Sequence, residues 1–405
     1  MRSGRRAWVL VLLLGVSGAA SAQLGLPRVA GVLGRVDGAL DTLARAPGDI
    51  VRDATALASA RIDRLDAFLQ ANRALVERDD DGQPARAREV LMLDPDDAAL
   101  AHAQAAGFRL IEMGDIGGLG IAYARLTTPP HMHLAAAIRA LRRIVPGKQV
   151  TADQIHFASG AASSPAPTGV ATEPPAPHGG TVGIIDGGVA GAIRIAAQAG
   201  FAEGAPRPDP HAQAIASLLA GAGTVRIDVA DVYGSDPAGG GALAIARALG
   251  WMAARDVPVV SISLVGPANP LLARAIAAVQ TKGMIVTAAV GNDGPAAPPA
   301  YPASYPGVVA VTGVDRHGRV LIEAGRASHL DYAAPGADLT VPDRGGRRQL
   351  RGTSYAAPLV AARLAALGGA AATPATRLSR ADAEAVGRSP RTGRGVLCDA
   401  CRSGI

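Results

Sequence analysis

Between residues 181 and 314, short and almost wholly apolar runs alternate with stretches of helical periodicity, and this alternation leaves few architectures open. Thr181–Ile185, Val225–Val232, Val257–Leu264, Met284–Val290 and Val308–Val314 read as strands, with His211–Gly221, Leu243–Ala254 and Pro270–Thr281 as helices between them. A strand with one buried face alternates apolar and polar residues, whereas a continuous run of Val, Ile and Ala asks for burial on both faces. The expected fold is therefore α/β, a mainly parallel sheet with helices on both faces. No fixed-period repeat points to a solenoid.

In such sheets the functional crevice lies at the carboxyl ends of the strands. Thr181–Ile185 runs directly into Asp186-Gly187-Gly188, and Met284–Val290 runs into Gly291-Asn292-Asp293-Gly294. His211 opens a helix just after the Pro-rich loop 206–210. Downstream, Arg351-Gly352-Thr353-Ser354-Tyr355-Ala356-Ala357-Pro358 leads into Leu359, Val360, Ala361, Leu364 and Leu367 at helical spacing. Pro358 is tolerable only near the first turn, which puts Ser354 close to a positive helix end able to stabilise an oxyanion. Each piece also has a plain structural role: Gly-Thr-Ser as a cap, Asp186 bonding turn amides, His211 starting a helix, Asn292 supplying a left-handed turn residue. Together, Asp, His and Ser follow one of the chain orders in which a hydrolytic triad occurs.

On these blocks, residues from about 180 to 400 resemble the subtilisin-like serine protease family. The resemblance implies that Ser354 is the nucleophile, His211 the general base, Asp186 the residue orienting the imidazole, and Asn292 a side-chain oxyanion donor. The chemistry needs those types: a serine hydroxyl is a weak nucleophile until a base takes its proton, and the base needs an acceptor fixing its tautomer. Val259–Pro267 looks like the family's substrate-binding strand, Tyr301–Pro306 like its Pro-Tyr loop, and Asp331–Gly336 like the approach to the serine block. By the same resemblance the pocket for the residue before the scissile bond (P1) is walled by Ser263, Leu264, Val265 and Gly266 and by Ala288, Ala289, Val290 and Gly291. Ala300 lies near its base. Small apolar walls without charge favour an apolar P1 side chain of moderate size.

Two positions depart from the family pattern. Ala212 and Gln213 follow the histidine where glycine and threonine are usual, and Gly187 follows the aspartate where serine or threonine is usual. A methyl at Ala212 can crowd the backbone and shift His211. The alternative function is a catalytically impaired peptide-binding protein on the same fold.

The remaining segments fit an exported precursor. Arg2, Arg5 and Arg6 precede the apolar run Trp8–Val16, and Ala20-Ser21-Ala22 offers a small-residue cleavage site, so 1–22 reads as a signal peptide and the mature chain as secreted or periplasmic. No other stretch is long and apolar enough to span a membrane. Residues 23–87 carry helical patterning without chemistry. From 88 to 157 the order is strand, helix, strand, strand, helix, strand (Glu89–Leu93, Pro95–Ala106, Phe108–Ile116, Leu119–Leu126, Leu134–Ile144, Val150–His156), a small α+β ferredoxin-like unit. In position it resembles a subtilisin propeptide, whose family role is to chaperone folding and to inhibit the site until cleaved. Residues 158–180 are an Ala/Pro/Ser linker unable to bury a core, and a natural place for self-cleavage. The catalytic domain would occupy 181–405.

The chain's net charge of +6 includes the three signal-peptide arginines, and its basic residues are scattered among acidic ones without interleaved aromatics, which argues against a nucleic-acid partner. Protein or peptide substrates are the expected partners. Cys398 and Cys401 are the two cysteines; in an exported chain they suit a short disulfide, with a redox pair as the other reading. Two ligands cannot complete a structural zinc site. No cofactor is expected for the chemistry. Calcium is common in the family, but no ligand set for it can be assigned from these residues.

Overall fold

The computed structural model describes residues 48–159, 179–191, 193–343, 346–369 and 372–397. The expected signal peptide, nearly all of the linker, and Cys398 with Cys401 lie outside the described residues.

The first part of the described chain comprises α1 (Gly48–Ala71), β1 (Val76–Arg78), β2 (Pro84–Leu93), α2 (Asp97–Ala105), β3 (Arg109–Asp115), β4 (Ala122–Thr127), α3 (Leu134–Ile144), β5 (Val150–Gln154) and β6 (Phe157–Ala158). β5, β2, β4 and β3 lie in that order, all antiparallel, in the βαββαβ connectivity of a ferredoxin-like unit. The boundary expected between residues 87 and 88 falls inside β2, whose first half pairs with β1, so the sheet starts at Val76. Polar Arg86 and Arg88 interrupt the apolar pattern there. Arg88 has φ 59° at an irregularity in the β2–β5 register, which breaks the period of two on which a strand is recognised.

Period two explains how this unit sits on the rest of the molecule. Val90 and Met92 point to one face and pack with Leu100, Ala103, Ile138 and Leu141 of α2 and α3. Leu91 and Leu93 point to the other face and, with Tyr123, join a core built mainly from the larger domain. A strand apolar on both faces needs a second partner, and here the partner is a pair of helices from the α/β domain.

That domain continues with β7 (Thr181–Asp186), β8 (Ala197–Gly200), α4 (Pro210–Gly221), β9 (Arg226–Asp231), α5 (Ala242–Ala254), β10 (Val259–Ile262), β11 (Leu264–Val265), α6 (Pro270–Thr281), β12 (Ile285–Ala289), β13 (Val309–Val314), β14 (Tyr332–Pro335), β15 (Leu339–Asp343), β16 (Gly346–Leu350), α7 (Thr353–Ala366) and α8 (Pro374–Glu384). Seven strands form one sheet in the order β14-β13-β12-β10-β7-β9-β8, every neighbouring pair parallel. Successive residues alternate between two cores. Ile184, Val259, Ile285, Ala289 and Val309 face α4 and α7. Ile185, Val260, Val286, Ala288 and Ala310 face α5 and α6. The α/β fold with helices on both faces is as the apolar runs require.

The caps of α5 and α6 show how closely the two parts are joined. Asn269 caps α6, accepting from Leu271 and Leu272 N–H, while its amide donates to Gln154 Oε1 and to the Ala152 carbonyl on β5. α5 starts after Gly241, which has no capping side chain, and Asp153 Oδ1 of β5 accepts from Leu243 N at 2.9 Å instead. A methyl on Gly241 would come within 2.7 Å of the Asp153 carboxylate, so glycine is what lets this borrowed cap approach. Burial pushes the Asp153 carboxyl up, and the Leu243 N–H together with Arg86, Arg125 and Arg247 opposes the shift. Replacing Asp153 by alanine leaves a buried helix-terminal N–H without its partner. We expect the intact chain to lose about 1–2 kcal/mol, read as a lower urea midpoint at unchanged slope.

Candidate active site

Parallel strands deliver their carboxyl ends to one edge, and Asp186, the last residue of β7, sits there fully buried beside Asp231 at the end of β9. Gly187 N donates to Asp186 Oδ1 at 2.9 Å. His211 is the second residue of α4, anchored because the N-cap Asp209 accepts from His211 N at 2.7 Å and Ala212 N at 3.1 Å, with Pro210 at the first helical position. The imidazole Nδ1 lies 3.0 Å from both Asp186 carboxylate oxygens. A carboxylate offers only acceptors, so Nδ1 carries the proton and Nε2 keeps its lone pair. Burial works against the imidazolium, but the charge and hydrogen bond of Asp186, helped by Asp209, outweigh it and hold the His211 pKa above its ordinary value.

Ser354 is the second residue of α7. The helix begins after Gly352, whose φ of 142° belongs to a region that glycine alone enters freely, and this is the local reason for Gly before Thr-Ser. Pro358, expected at the margin of the first turn, lies inside α7 because the helix already starts at Thr353. Its missing N–H deprives the Ser354 carbonyl of its helical donor. The Ser263 hydroxyl, just beyond β10, supplies the replacement at 2.8 Å. Asn292 follows β12 and is fixed through its amide oxygen, which accepts from Thr353 N at 2.9 Å, while the Thr353 hydroxyl donates to the Gly291 carbonyl at 3.1 Å.

Three atoms remain. His211 Nε2, Ser354 Oγ and Asn292 Nδ2 are all buried without a hydrogen-bond partner among the described residues. Buried polar atoms are normally paired, so unpaired ones on these three side chains call for an explanation. They are a proton acceptor, a hydroxyl and a donor, the set that acyl transfer needs.

The two departures have a structural setting. A methyl on Gly187 would lie 2.4 Å from Asp209 Cβ, so a side chain there is excluded by the residue that caps α4. Ala212 is buried in the core facing α4 and α7, with His211 still bonded to both Asp186 oxygens. Asp209 escaped the sequence reading, although Asp before Pro at a helix start is a recognisable capping signature.

A cleft of about 650 Å³ opens beside these residues, with Val265, Gly266, Val290, Gly291, Asn292 and Ala300 in its lining. Ser263, Leu264, Ala288 and Ala289 are buried, the last three with their side chains in the sheet's two cores. The end of the α+β unit forms part of the cleft wall, with Phe157, Ala158 and Ser159 in the lining. β6 pairs antiparallel with β11, Phe157 opposite Val265 and Ala158 opposite Leu264, and Ser159 N donates to the Ser263 carbonyl at 3.0 Å. Sequence reading had placed residue 158 onward in the linker, since three residues are too few to carry a strand pattern.

Helix α1 closes over the same place. Arg61 and Arg64 reach Asp293 at 3.1 and 2.5 Å, Leu57 packs where a side chain on Gly294 would stand, and the Phe68 ring meets Phe157 edge-on at 5.0 Å.

Among the described residues, two groups of side chains lie close enough to share a cation, Asp186–Asp209–His211 and Asp79–Asp80–Asp81. In the first, His211 Nδ1 is engaged by Asp186. In the second, Asp79 accepts from Asp81 N, Gln83 N and Gln154 Nε2, and Asp80 pairs with Arg142. No described helix is long and apolar enough to cross a membrane.

Comparison with known proteins places the fold and the family. A thermostable alkaline protease of Halalkalibacterium halodurans is 30% identical over 200 residues, 45% of this chain and 55% of that protein. Subtilisin E of Bacillus subtilis is 31% identical over 122 residues, 29% of this chain and 32% of that protein. The matched regions thus span about half or less of these relatives' lengths. Among solved structures, fervidolysin from Fervidobacterium pennivorans, a keratinolytic enzyme related to subtilisin, superposes with a TM-score of 0.63 at 16% identity, covering 79% of this chain and 61% of its own. The epidermin leader peptide processing serine protease of Staphylococcus aureus does so with a TM-score of 0.58 at 15% identity, covering 78% and 97%. At that identity the likeness concerns the fold alone. The subtilase family profile matches residues 182–386, just over half of the chain and the whole stretch from β7 to the end of α8, and on that match the chain belongs to the subtilase family.

Proposed function

We propose that this chain is a serine endopeptidase, exported and made as a precursor whose α+β unit occupies its own substrate cleft. The observation that carries the proposal is the trio of unpartnered buried atoms on His211, Ser354 and Asn292. In the proposed reaction His211 Nε2 takes the Ser354 proton as the hydroxyl oxygen attacks a peptide carbonyl. Asp186 keeps the imidazole in the required tautomer and stabilises the imidazolium. Asn292 Nδ2 and the positive end of α7 receive the oxyanion, and His211 then protonates the departing amine. Water completes the hydrolysis, and no cofactor enters this scheme.

Inhibition by the α+β unit is supported by β6 lining the cleft as a strand added to β11, and a chaperone role by the Asp153 cap on α5. Export rests on the reading of residues 2–22. The alternative, a peptide-binding protein without turnover, drew on Ala212 and Gly187. The fit of Gly187 to Asp209 and the intact His211–Asp186 bond favour the enzyme.

Intact mass of the signal-less chain beside its Ser354→Ala variant tests the proposal. Loss of the N-terminal region in the wild type alone, with fluorophosphonate labelling of Ser354, is the expected result; two full-length, unlabelled proteins would sink it in favour of peptide binding.

The raised His211 pKa sets a sign for the pH profile. The base works when neutral, so activity rises with pH through a pKa above the ordinary histidine value. Asp209→Asn removes one of the charges raising that pKa while keeping a good helix cap, and should move the acid limb of kcat/KM to lower pH.

Helix α1 should retain the pro-segment. Arg61→Ala with Arg64→Ala deletes both ion pairs to Asp293, and the expected outcome is faster appearance of activity on incubation, the contrast with wild type shrinking as salt is raised.

A further inference from the structure

We infer that the first bond cut by this site is the one joining Ser159 to Gly160, and that Val265 confines the site to substrates with a small residue, serine or alanine, at P1. The inference rests on the endopeptidase function proposed above and adds its substrate class.

The position of the bond follows from the register. Phe157 and Ala158 are committed to Val265 and Leu264, and Ser159 N to the Ser263 carbonyl. Ser263 is also the residue whose hydroxyl holds the Ser354 carbonyl at 2.8 Å. One residue therefore ties the backbone of Ser159 to the backbone of the nucleophile, and the Ser159 carbonyl is the next group along the tail. In the step inferred, Ser354 Oγ bonds to that carbonyl carbon as His211 Nε2 takes the hydroxyl proton. The carbon–nitrogen bond to Gly160 then breaks, and the proton passes to the Gly160 nitrogen. Water hydrolyses the ester, leaving the Ser159 carboxylate and restoring Ser354.

The size limit follows from Val265. Residues opposite one another on a ladder, and residues two apart on a strand, share a face, so the side chains of Val265, Phe157 and Ser159 lie on the same side. On that side Val265 Cγ1 stands 3.3 Å, and Val265 Cγ2 and Ala300 Cβ 3.9 Å, from where a single methyl on Gly291 would be. The space over Gly291 is thus filled to contact by one methyl. An aromatic ring needs walls roughly 7–8 Å apart, twice the carbon–carbon contact distance. Valine is stiff at χ1 and cannot swing aside as a longer chain would. The apolar P1 residue of moderate size anticipated from the pocket's composition would have to displace Val265, whereas the serine at 159 does not.

Two measurements on the full chain test this. N-terminal sequencing after self-processing should find Gly160 as the first new terminus, absent from Ser354→Ala. Fluorogenic amides of Phe-Ala-X, with X as Ser, Ala, Leu or Phe, should give kcat/KM for Ser and Ala at least about tenfold above Phe. Val265→Gly should bring Phe close to Ala, and Val265→Ala part of the way, which preserves the test if glycine loosens β11. A first terminus elsewhere, a wild-type enzyme taking Phe as readily as Ala, or an unchanged ratio in both variants overturns the inference. If fluorophosphonate still labels Ser354 in that case, the endopeptidase function stands and only the inference falls; absent labelling and turnover remove both.

Discussion

Parallel pairing of β7 with β9 and β10 is the constraint on which the rest of this molecule depends. A parallel neighbour can be reached only by a crossover, so each connection returns the chain to the amino end of the sheet and every strand ends at the same edge. Asp186, Ser263 and Asn292 are all at or just past strand ends on that edge, although more than a hundred residues separate the first from the last. α4 and α7 pack side by side on one face of the sheet and bring His211 and Ser354 to the same place from their first turns. No side chain has to stretch to reach the site. It is held by backbone geometry and by short bonds such as Asn292 to Thr353 and Ser263 to Ser354.

The same economy of parts joins the α+β unit to the domain it covers. Leu91, Leu93 and Tyr123 contribute to a core that is otherwise built from α5, α6 and the sheet. Full burial of a Leu-sized side chain is worth about 1.5–3 kcal/mol, so the three together rival a fair part of a typical domain's net stability. Asp153 completes the start of α5 and Gln154 engages the cap of α6. The two contacts belong to one continuous stretch, since the strand β5 that supplies the cap runs on within a few residues to β6, which pairs with β11.

How much of this was legible beforehand varied with local chemistry. The five central strands were readable because their runs are apolar on both faces, and α6 was recognisable from Pro270 to Thr281 by its helical periodicity between two such runs. β8, built from Ala197, Gln198, Ala199 and Gly200, carries no β-branched or aromatic residue, and β14 is only Tyr332 to Pro335; both are edge strands whose pairing partner, not their own sequence, makes them strands. Asp186, His211, Asn292 and Ser354 were found through chain order and strand-end position. Asp209 was passed over as part of a Pro-rich loop although the N–H groups it caps, those of His211 and Ala212, are its near neighbours in sequence, whereas Ser159 fell in the linker because its partner, Ser263, is distant. The placing of Pro358 went astray for a related reason: an interior proline is tolerated when the carbonyl it orphans finds another donor, and that donor, Ser263, lies just beyond β10, far from Pro358 in sequence.

Gly187 and Asp209 illustrate what a departure from a family pattern can mean. Taken alone, glycine after the aspartate looks like the loss of a useful hydroxyl. With Asp209 in place, any side chain at 187 would begin 2.4 Å from the Asp209 Cβ. Asp209 in turn anchors the first turn of α4 through His211 N and Ala212 N and adds a second negative charge near the imidazole. The pair therefore acts as a unit, glycine making room and aspartate both capping the helix and helping to raise the pKa of the His211 imidazole. Ala212 belongs to the same arrangement, since its N–H is one of the two that Asp209 holds. Its methyl fills core space without displacing His211 from Asp186. Glycine at 187 is what the placement of Asp209 requires, and Asp209 in turn holds the first turn on which His211 stands.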